Sequence, residues 1–450
     1  MFKTALLLKK FFNPILNPNR LAMFYNTVWL LLEKVFRIGL GFFVTALVAR
    51  YLRPEQFGIL SYAVSVIALM EPLVNLGLNS VLKKYLLYHQ EQSAEILGTV
   101  LLLRSISALT SVVVIYILVP IINTSVLADG NNLSTKILLY ILSIGLIFKI
   151  FEIVDIIFET QVNSKYPSIV KSLSIVFSSV IKLFLIYHDY SLIYFGYAII
   201  GEGLFCAIGC LYVLRYRQTA FPPIFDWRVD RKILRKILGE GAPMILVGVA
   251  VMIYMKIDQV MLKHMVDARA VGIYSVAVKL SEPWAMVASN IIASIFPTMV
   301  LAKKRSLSDY YRKLQKLFAF MNALAVVVIL PTAIFSEFLV TLIFGSEYLP
   351  AAPILRVHIF ANFFIFIALA QDPWDIVEKH MKFVLLKTLF AAISNVLLNL
   401  WLIPRYQGMG AAWATLIAYS SIFYLNIFHR KCRKAMLLEI KALFFWKYLR

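Results

Sequence analysis

Twelve long apolar runs constrain this chain more than any other feature of its sequence. Each run is about 20 residues or longer, the length that an α-helix needs to cross the hydrocarbon core of a bilayer. Together with a mean hydropathy of +0.80, they predict a polytopic membrane protein rather than a soluble one. The runs lie near residues 24–49, 58–82, 94–120, 135–160, 166–187, 192–214, 240–262, 271–300, 316–343, 351–376, 383–403 and 408–429.

Lysine and arginine are distributed unevenly between the loops that these runs define. With the N-terminus placed inside, the cytoplasmic segments hold about thirty of them and the opposite loops about five. This asymmetry predicts that both termini are cytoplasmic. It also accounts for most of the formal net charge of +21, so the composition does not require a nucleic-acid partner.

The two halves of the chain resemble each other. The segment FGILSYAVS from Phe57 and the segment VGIYSVAVK from Val271 share Gly, Ile, Ser, Ala and Val in register, and a Glu-Pro pair follows each. Repeats with an even number of helices are parallel copies with a cavity between them. We therefore predict an all-α integral membrane fold of about 12 transmembrane helices in two six-helix lobes. The predicted parts are the N-terminal lobe 1–214, a basic cytoplasmic linker 215–238, the C-terminal lobe 239–429 and a basic amphipathic cytoplasmic tail 430–450.

About ten cations fall inside the predicted spans. Each costs roughly 2.5–3.5 kcal/mol at a helix centre, so it should face protein or water rather than lipid. Helical spacing allows three pairs to neutralise locally, namely Glu33 with Arg37, Lys149 with Glu152, and Lys279 with Glu282. The partners of the others must lie on another helix, in water or on a substrate; these cations are Lys34, Arg104, Lys171, Lys182, Lys256 and Arg356.

Acidic residues in the spans are the second set of candidates. Glu152, Asp155 and Glu159 recur at helical spacing and form an acidic stripe, a pattern that can carry protons or Na⁺ through a transporter. Glu71 and Glu282 precede prolines, where the missing backbone donor invites a kink. Structural pairing with cations, or a kink needed only for packing, is the alternative for each of them.

The sequence holds no motif of enzymatic or metal chemistry. No Walker loop, HExxH, GxSxG or zinc-spaced Cys/His set is present, and no loop is long enough for a catalytic domain. Cys206 and Cys210, one helical turn apart, are expected to be packed thiols, and Cys432 completes no ligand set. We expect no metal site and no cofactor.

Both ends of the chain are basic and amphipathic. No cleavable signal peptide is evident, so the N-terminal segment is expected to be retained. The tail mixes Lys and Arg with Leu, Phe and Trp, a composition typical of an interfacial helix that binds anionic lipid headgroups.

The segment LVARYLRPEQFGILSYAVSVIALMEPLVNLGL resembles the polysaccharide (O-antigen) flippases. These are the Wzx-type branch of the multidrug/oligosaccharidyl-lipid/polysaccharide (MOP) exporter superfamily. A second segment, YQGMGAAWATLIAYS, resembles that family's approach to its last helix. Arg53 stands where the family usually has Gly; because a residue before Pro is driven towards extended conformations, we expect no steric need for Gly there. The matching residues are Ala49, Arg50, Tyr51, Leu52, Pro54, Phe57, Gly58, Leu76, Gly77 and Leu78.

This resemblance implies a transporter, not an enzyme. It implies a flippase that moves undecaprenyl-pyrophosphate-linked oligosaccharides across the bacterial cytoplasmic (inner) membrane, for O-antigen, capsule or exopolysaccharide synthesis. It also implies alternating access, a cationic central cavity and coupling to H⁺ or Na⁺. The expected partners are this lipid-linked substrate, membrane lipids, and the polymerase and chain-length proteins of the same pathway.

The unpaired charges of the two halves then become site candidates. We expect the pyrophosphate or acidic sugars to be held by cavity cations, and the coupling ion by a carboxylate. The candidate cations are Lys34, Arg37, Arg104, Lys256, Lys279 and Arg356, and the candidate acids are Glu71, Asp155, Asp258 and Glu282.

Three alternatives stay open at the level of sequence. A drug/cation antiporter of the same superfamily would favour an acidic, aromatic cavity. A lipid-II-type flippase typically has two more helices than the twelve counted here. A membrane-embedded polysaccharide polymerase would carry a large external loop, which this sequence lacks.

Overall fold

The computed structural model is all-helical throughout the residues that it describes, which are 18–126, 132–217, 220–378 and 380–443; for residues 18–32, 122–126 and 132 it describes the backbone alone. The basic N-terminal segment and the last residues of the tail lie outside them. The α-helices are α1 (Pro18–Asn75), α2 (Leu78–Tyr88), α3 (Ser93–Val126), α4 (Asn132–Phe148), α5 (Ile153–Thr160), α6 (Lys165–Tyr187), α7 (Leu192–Tyr216), α8 (Arg231–Met265), α9 (Ala268–Ser281), α10 (Pro283–Arg305), α11 (Leu307–Ile334), α12 (Ser336–Phe344), α13 (Ala351–His358), α14 (Ala361–Val377), α15 (Met381–Tyr424) and α16 (Arg430–Ala442). Short 3₁₀ turns occupy Gln90–Gln92, Lys149–Glu152, Ile224–Asp226, Ser346–Tyr348 and Leu425–Phe428.

Ten candidate membrane spans occur in the described residues, and two of them are long enough to cross twice. The first is 56 residues long and the last 48, so a straight helix of the first length would measure about 84 Å. Both contain a non-helical residue, Arg53 in α1 and Gln407 in α15. The predicted all-α membrane fold is therefore confirmed, with its first and last helix pairs joined without a loop.

The chain folds back on itself at both breaks. Arg37 and Glu71 would lie about 51 Å apart in a straight helix, yet they line one cavity. In α15, Asn399 and Thr415 stand on opposite sides of Gln407 and both hydrogen-bond to Asp258. Each break is thus a tight turn between two packed helices.

The backbone at Arg53 corrects the expectation from sequence. Arg53 has φ 57° and ψ 170°, a left-handed conformation that Gly adopts freely and that strains a residue with a Cβ. The restriction imposed by Pro54 was therefore not the deciding factor. The geometry of the turn decides the conformation instead, and it requires a positive φ, which Gly adopts freely.

The two repeated segments meet at equivalent glycines. A Cβ built on Gly58 would overlap the carbonyl oxygen of Ala268, and one built on Gly272 would overlap the carbonyl oxygen of Pro54. The Cβ on Gly272 would also stand 3.2 Å from the backbone nitrogen of Gly58. The two segments that resemble each other in sequence therefore contact each other in the structure. In this contact, the equivalent glycine of each copy packs against the other copy.

A second contact surface joins the second half of α1 and the start of α2 to α8. We call it the α1–α8 seam. It begins where Tyr62 Oη and His264 Nε2 lie 3.0 Å apart and ends where Gly241 packs on Leu78. The order of contacts is Tyr62–His264, Ser65–Gln259, Pro72–Gly248, Gly77–Met244 and Leu78–Gly241. The second half of α1, together with the start of α2, therefore packs antiparallel to α8 along about 35 Å of α8, from Gly241 to His264.

The helix that follows the basic linker begins earlier than its apolar run suggested. Asp230 caps α8, because its carboxylate accepts hydrogen bonds from the backbone nitrogens of Lys232 and Ile233. Arg228 N bonds to the carbonyl of Ala94 at 3.1 Å, which fixes the linker to the start of α3. The lobe boundaries and the cytoplasmic placement of the termini stay predictions.

Candidate functional site

Three cavities adjoin one another between the helices. The N-terminal cavity, lined by residues from Arg37 to Cys210, has a volume of about 430 Å³. The C-terminal cavity, lined by residues from Ile38 to Tyr419, has about 510 Å³. The lysine cavity, about 240 Å³, shares Val64 and Ile199 with the first and Lys279 and Glu282 with the second. It therefore lies between the other two.

The N-terminal cavity is lined by an ion-pair network with a small excess of acid. Lys149 pairs with Glu71 at 3.2 Å and with Glu152 at 3.4 Å, and Lys171 pairs with Asp155 at 2.7 Å. The Lys149–Glu152 pair was predicted from helical spacing. The charged residues of the lining are Arg37, Lys149 and Lys171 against Glu71, Glu152, Asp155 and Glu202.

Arg37 lines this cavity and forms the predicted ion pair with Glu33. Arg37 Nε forms an ion pair with Glu33 Oε1 at 3.2 Å, and Ser172 donates a hydrogen bond to the same oxygen at 3.0 Å. Because Glu33 is buried and doubly held, it fixes the first half of α1 to α6 and aims the guanidinium of Arg37 at the N-terminal cavity.

The lysine cavity has the opposite charge balance. Lys182, Lys256 and Lys279 all line it, and Glu282 is its one acidic lining residue. Lys182 also pairs at 3.5 Å with Glu202, a residue of the neighbouring N-terminal cavity. Since three ammonium groups converge on so small a space, an anion is the ligand that its charge favours.

The pairing inside the lysine cavity differs from the expectation. Glu282 accepts hydrogen bonds from Lys256 at 3.0 and 3.1 Å, so the predicted local pair of Lys279 with Glu282 is wrong. Lys256, on α8, reaches across to the end of α9 and takes both carboxylate oxygens. Lys279 has no hydrogen-bond or ion-pair partner among the described residues, although its charged neighbours include Lys182, Lys256 and Glu282.

Asp258 is bound in a different way from the other candidate acids. It is 2% exposed and accepts hydrogen bonds from Asn399 Nδ2 at 2.6 Å, Tyr274 Oη at 2.6 Å and Thr415 Oγ1. Glu71, Asp155 and Glu282 each pair with a lysine, whereas Asp258 forms no ion pair in the described part of the chain. It is a buried carboxyl held by neutral groups beside the C-terminal cavity.

Three of the predicted cations lie outside these cavity linings. Lys34 donates a 2.9 Å hydrogen bond to Asn290 of α10. Arg104 is fully buried and donates to Asn79 at 2.5 Å, and its Nε and Nη1 have no hydrogen-bond partner in the described part of the chain. Arg356 is exposed and pairs with Glu337 at 2.6 Å. Most of the cations that have no acid three or four residues away on their own helix therefore have a partner on another helix. Structural pairing of this kind was the alternative to a role in substrate binding.

Sequence reasoning gave no role to the neutral residues around Asp258. Asn395 and Asn399 are one turn apart on α15, fully buried, and hydrogen-bonded to each other at 3.2 Å. Two asparagines at that spacing in an apolar span are a signal that can be seen in the sequence. A search limited to charged residues does not find it. Within the described residues no cluster of three His, Cys, Asp or Glu side chains could hold a metal ion.

Solved structures of one superfamily share this fold. An inward-facing multidrug resistance MATE family transporter of the MOP superfamily superposes with a TM-score of 0.72 at 15% identity, covering 91% of this chain and 96% of that one. Lipid II flippase MurJ in an inward closed conformation gives 0.70 at 17% identity, covering 93% and 91%. A MOP superfamily transporter from Pyrococcus furiosus, described as having a binding pocket of reversed polarity, gives 0.65 at 14% identity, covering 94% of each chain.

The sequence comparisons place the chain more narrowly. A comparison with curated protein sequences gave no match. The model of the family described as "Polysaccharide biosynthesis protein" matches residues 23–303, well over half of the 450 residues. That range contains α1 with its turn at Arg53, all residues that line the lysine cavity, and both glycines of the repeat contact. The chain therefore belongs to this polysaccharide biosynthesis family, and its fold is that of the MOP superfamily transporters.

Proposed function

We propose that this protein is a flippase for undecaprenyl-pyrophosphate-linked oligosaccharides in the bacterial cytoplasmic membrane, serving O-antigen, capsule or exopolysaccharide synthesis. The observation that carries the proposal is the lysine cavity, which Lys279 lines together with Lys182 and Lys256 and in which no described acid forms an ion pair with Lys279. A pyrophosphate would supply the missing anion. The family match and the flippase among the similar folds support the same class of function.

The three lysines would have different parts in this mechanism. Lys279 can bind phosphate oxygens without giving up a partner, because no described residue pairs with it. Lys256 can bind only by sharing or releasing Glu282. Exchange of Glu282 between the two lysines would couple substrate binding to a rearrangement between α8 and α9, the helices that carry them.

The experiment compares Lys279→Gln with Lys304→Gln, an exposed lysine on α10, in a flippase-deficient strain. Lys279→Gln removes a charge without breaking an ion pair, so we expect normal amounts of protein in the membrane and a strong loss of polymer. Lys304→Gln should complement fully. The proposal is refuted if Lys279→Gln gives near-normal polymer output and Lys256→Gln and Lys34→Gln do the same.

We further propose that Asp258 carries the coupling ion. It is the one candidate acid whose described partners are all uncharged, so its proton or a bound Na⁺ can leave without breaking a salt bridge. In proteoliposomes, Asp258→Asn should abolish the response of flipping to an imposed H⁺ or Na⁺ gradient while substrate still binds. Glu202→Gln, which alters an acid paired with Lys182, is the matched control. An unchanged gradient response in Asp258→Asn would rule out the assignment.

One observation favours a second function, drug/cation antiport. The N-terminal cavity is lined by four acids against three cations, a balance that suits a cationic ligand. A drug-sensitivity screen of cells that express the protein separates the two functions. Resistance to cationic drugs that is lost in Glu71→Gln, without any effect on polymer, would favour the antiporter.

A further inference from the structure

Two of the three cysteines line the N-terminal cavity. Cys206 and Cys210 are one turn apart on α7, and both belong to the cavity lining. Cys206 is half-buried and packs against an apolar cluster that includes the buried Cys210, so both thiols are packed as expected, and both also line the cavity. The third, Cys432, is a buried residue of α16 and lines none of the three cavities.

The two thiols are close but do not have the geometry of a disulfide. Residues four apart on a helix have Cβ atoms roughly 5–6 Å apart, whereas a disulfide needs about 3.8 Å. An unbroken helix therefore keeps the pair as a dithiol, which a larger atom with two long bonds to sulfur can bridge.

The surroundings of Cys206 suit a reactive thiolate. Lys171 lines the same cavity as Cys206 and is held in place by Asp155 at 2.7 Å. A nearby cation stabilises negative charge on sulfur, and the thiolate is the nucleophile and the soft-metal ligand. The open volume of the cavity, about 430 Å³, leaves space for a substituent.

We propose that Cys206 and Cys210 form a two-sulfur site for thiophilic trivalent arsenic compounds of the type R–As=O. The two sulfurs form two As–S bonds, the As=O bond is lost, and the oxygen leaves as water with the two thiol protons. Arsenic stays trivalent throughout, so the step needs no oxidant or reductant. The organic substituent R then occupies the N-terminal cavity beside the Lys171–Asp155 pair.

The probe is phenylarsine oxide, added to the purified full-length protein in detergent, with bound arsenic counted by intact mass spectrometry. We expect one phenylarsenic group per chain in the wild type and in Cys432→Ser, released by an excess of a small dithiol. Cys206→Ser and Cys210→Ser should each bind none, because one remaining sulfur does not close the bridge.

A second measurement guards against a folding defect in the serine variants. In the wild type, phenylarsine oxide should protect both thiols from a maleimide, with Cys432→Ser as the background. Binding of arsenic to Cys206→Ser at the wild-type level, or no binding to the folded wild type, overturns the proposal. Neither measurement involves transport, so its failure would be distinct from failure of the proposed flippase function.

Discussion

Gly58 and Gly272 face each other so closely that a methyl group on either would overlap backbone of the opposite repeat. Backbone cannot rotate away as a side chain can, so the helices would have to separate. We expect Gly58→Ala and Gly272→Ala each to destabilise the protein by 1–3 kcal/mol or more, on the order seen when a packed interior is overfilled.

Gly39 provides the matched control for this prediction. A Cβ there meets no atom within 4 Å, and alanine is the better helix former. Thermal unfolding in detergent should show Gly39→Ala at or above the wild type and the other two variants well below it. Equal midpoints for all three would contradict the close contact.

Arg53 is expected to be a site where glycine stabilises the chain. Its φ of 57° places a Cβ in a strained conformation, and such strain costs on the order of 1–3 kcal/mol. Arg53→Gly should therefore raise the free energy of unfolding by about 1 kcal/mol after the greater freedom of glycine in the unfolded chain is subtracted.

Arg53→Ala separates the backbone effect from the loss of charge. It removes the exposed contact with Glu347, which spans 3.8 Å, but keeps the Cβ. The alanine variant should show no gain in thermal stability. A gain equal to that of Arg53→Gly would mean that backbone strain is not the cause.

Glu282 is expected to matter more for stability than a surface acid in a similar pair. Its removal leaves Lys256 without the carboxylate to which it hydrogen-bonds, and hydrogen bonds to charged groups contribute about 1.5–3 kcal/mol. Glu337, whose side chain is 62% exposed in its pair with Arg356, should contribute about 0–1 kcal/mol. Differential scanning fluorimetry of Glu282→Gln and Glu337→Gln measures both effects. A smaller loss for Glu282→Gln than for Glu337→Gln would contradict the assignment.

Docking of the tail helix α16 should depend on pH through Glu439. This side chain is 1% exposed, and neither of its carboxylate oxygens has a hydrogen-bond partner among the described residues. Burial raises the pKa of Glu439 well above its ordinary range, with Lys387 opposing the shift and Asp375 adding to it. Because the docked form binds the proton more tightly, docking is strongest below the ordinary carboxyl pKa of about 4.3. It weakens as pH rises towards the raised value, by up to about 1.4 kcal/mol per pH unit.

Limited trypsin digestion between pH 6.5 and 8.5 reports this release, because Arg433 and Lys441 lie on α16. The wild-type tail should be cut progressively faster as pH rises, relative to a trypsin substrate peptide in the same tube. Glu439→Gln should remove the pH dependence, and Glu91→Gln, an exposed acid, should leave it intact. Identical profiles for the wild type and Glu439→Gln would exclude this carboxyl as the titrating group.

Contacts within one helix could be predicted from the sequence, and contacts between helices could not. Glu33 with Arg37 and Lys149 with Glu152 follow from helical spacing alone. Lys279 has an acid at the same spacing, but Lys256 arrives from α8 and takes both oxygens of Glu282. Spacing gives the set of candidates on one helix, and the competition from neighbouring helices is decided only by packing.

The same limit applies to Asp258. Its charge and its position in an apolar span could be read from the sequence, but its character as a site depends on Asn399, Thr415 and Tyr274, which come from two other helices. The fold itself was easier to predict, because twelve apolar runs and one repeated glycine motif are properties of the chain rather than of particular contacts.

The α1–α8 seam closes one lateral route from the surrounding lipid into the interior of the molecule. A lipid that changes leaflet keeps its hydrocarbon chains in the bilayer while its headgroup crosses through protein, so it needs a lateral doorway. Between Tyr62 and Leu78 the wall is closed by side-chain and backbone contacts. The hydrogen bond from Lys34 to Asn290 joins the first half of α1 to α10, and a doorway between these two helices would leave the α1–α8 seam intact.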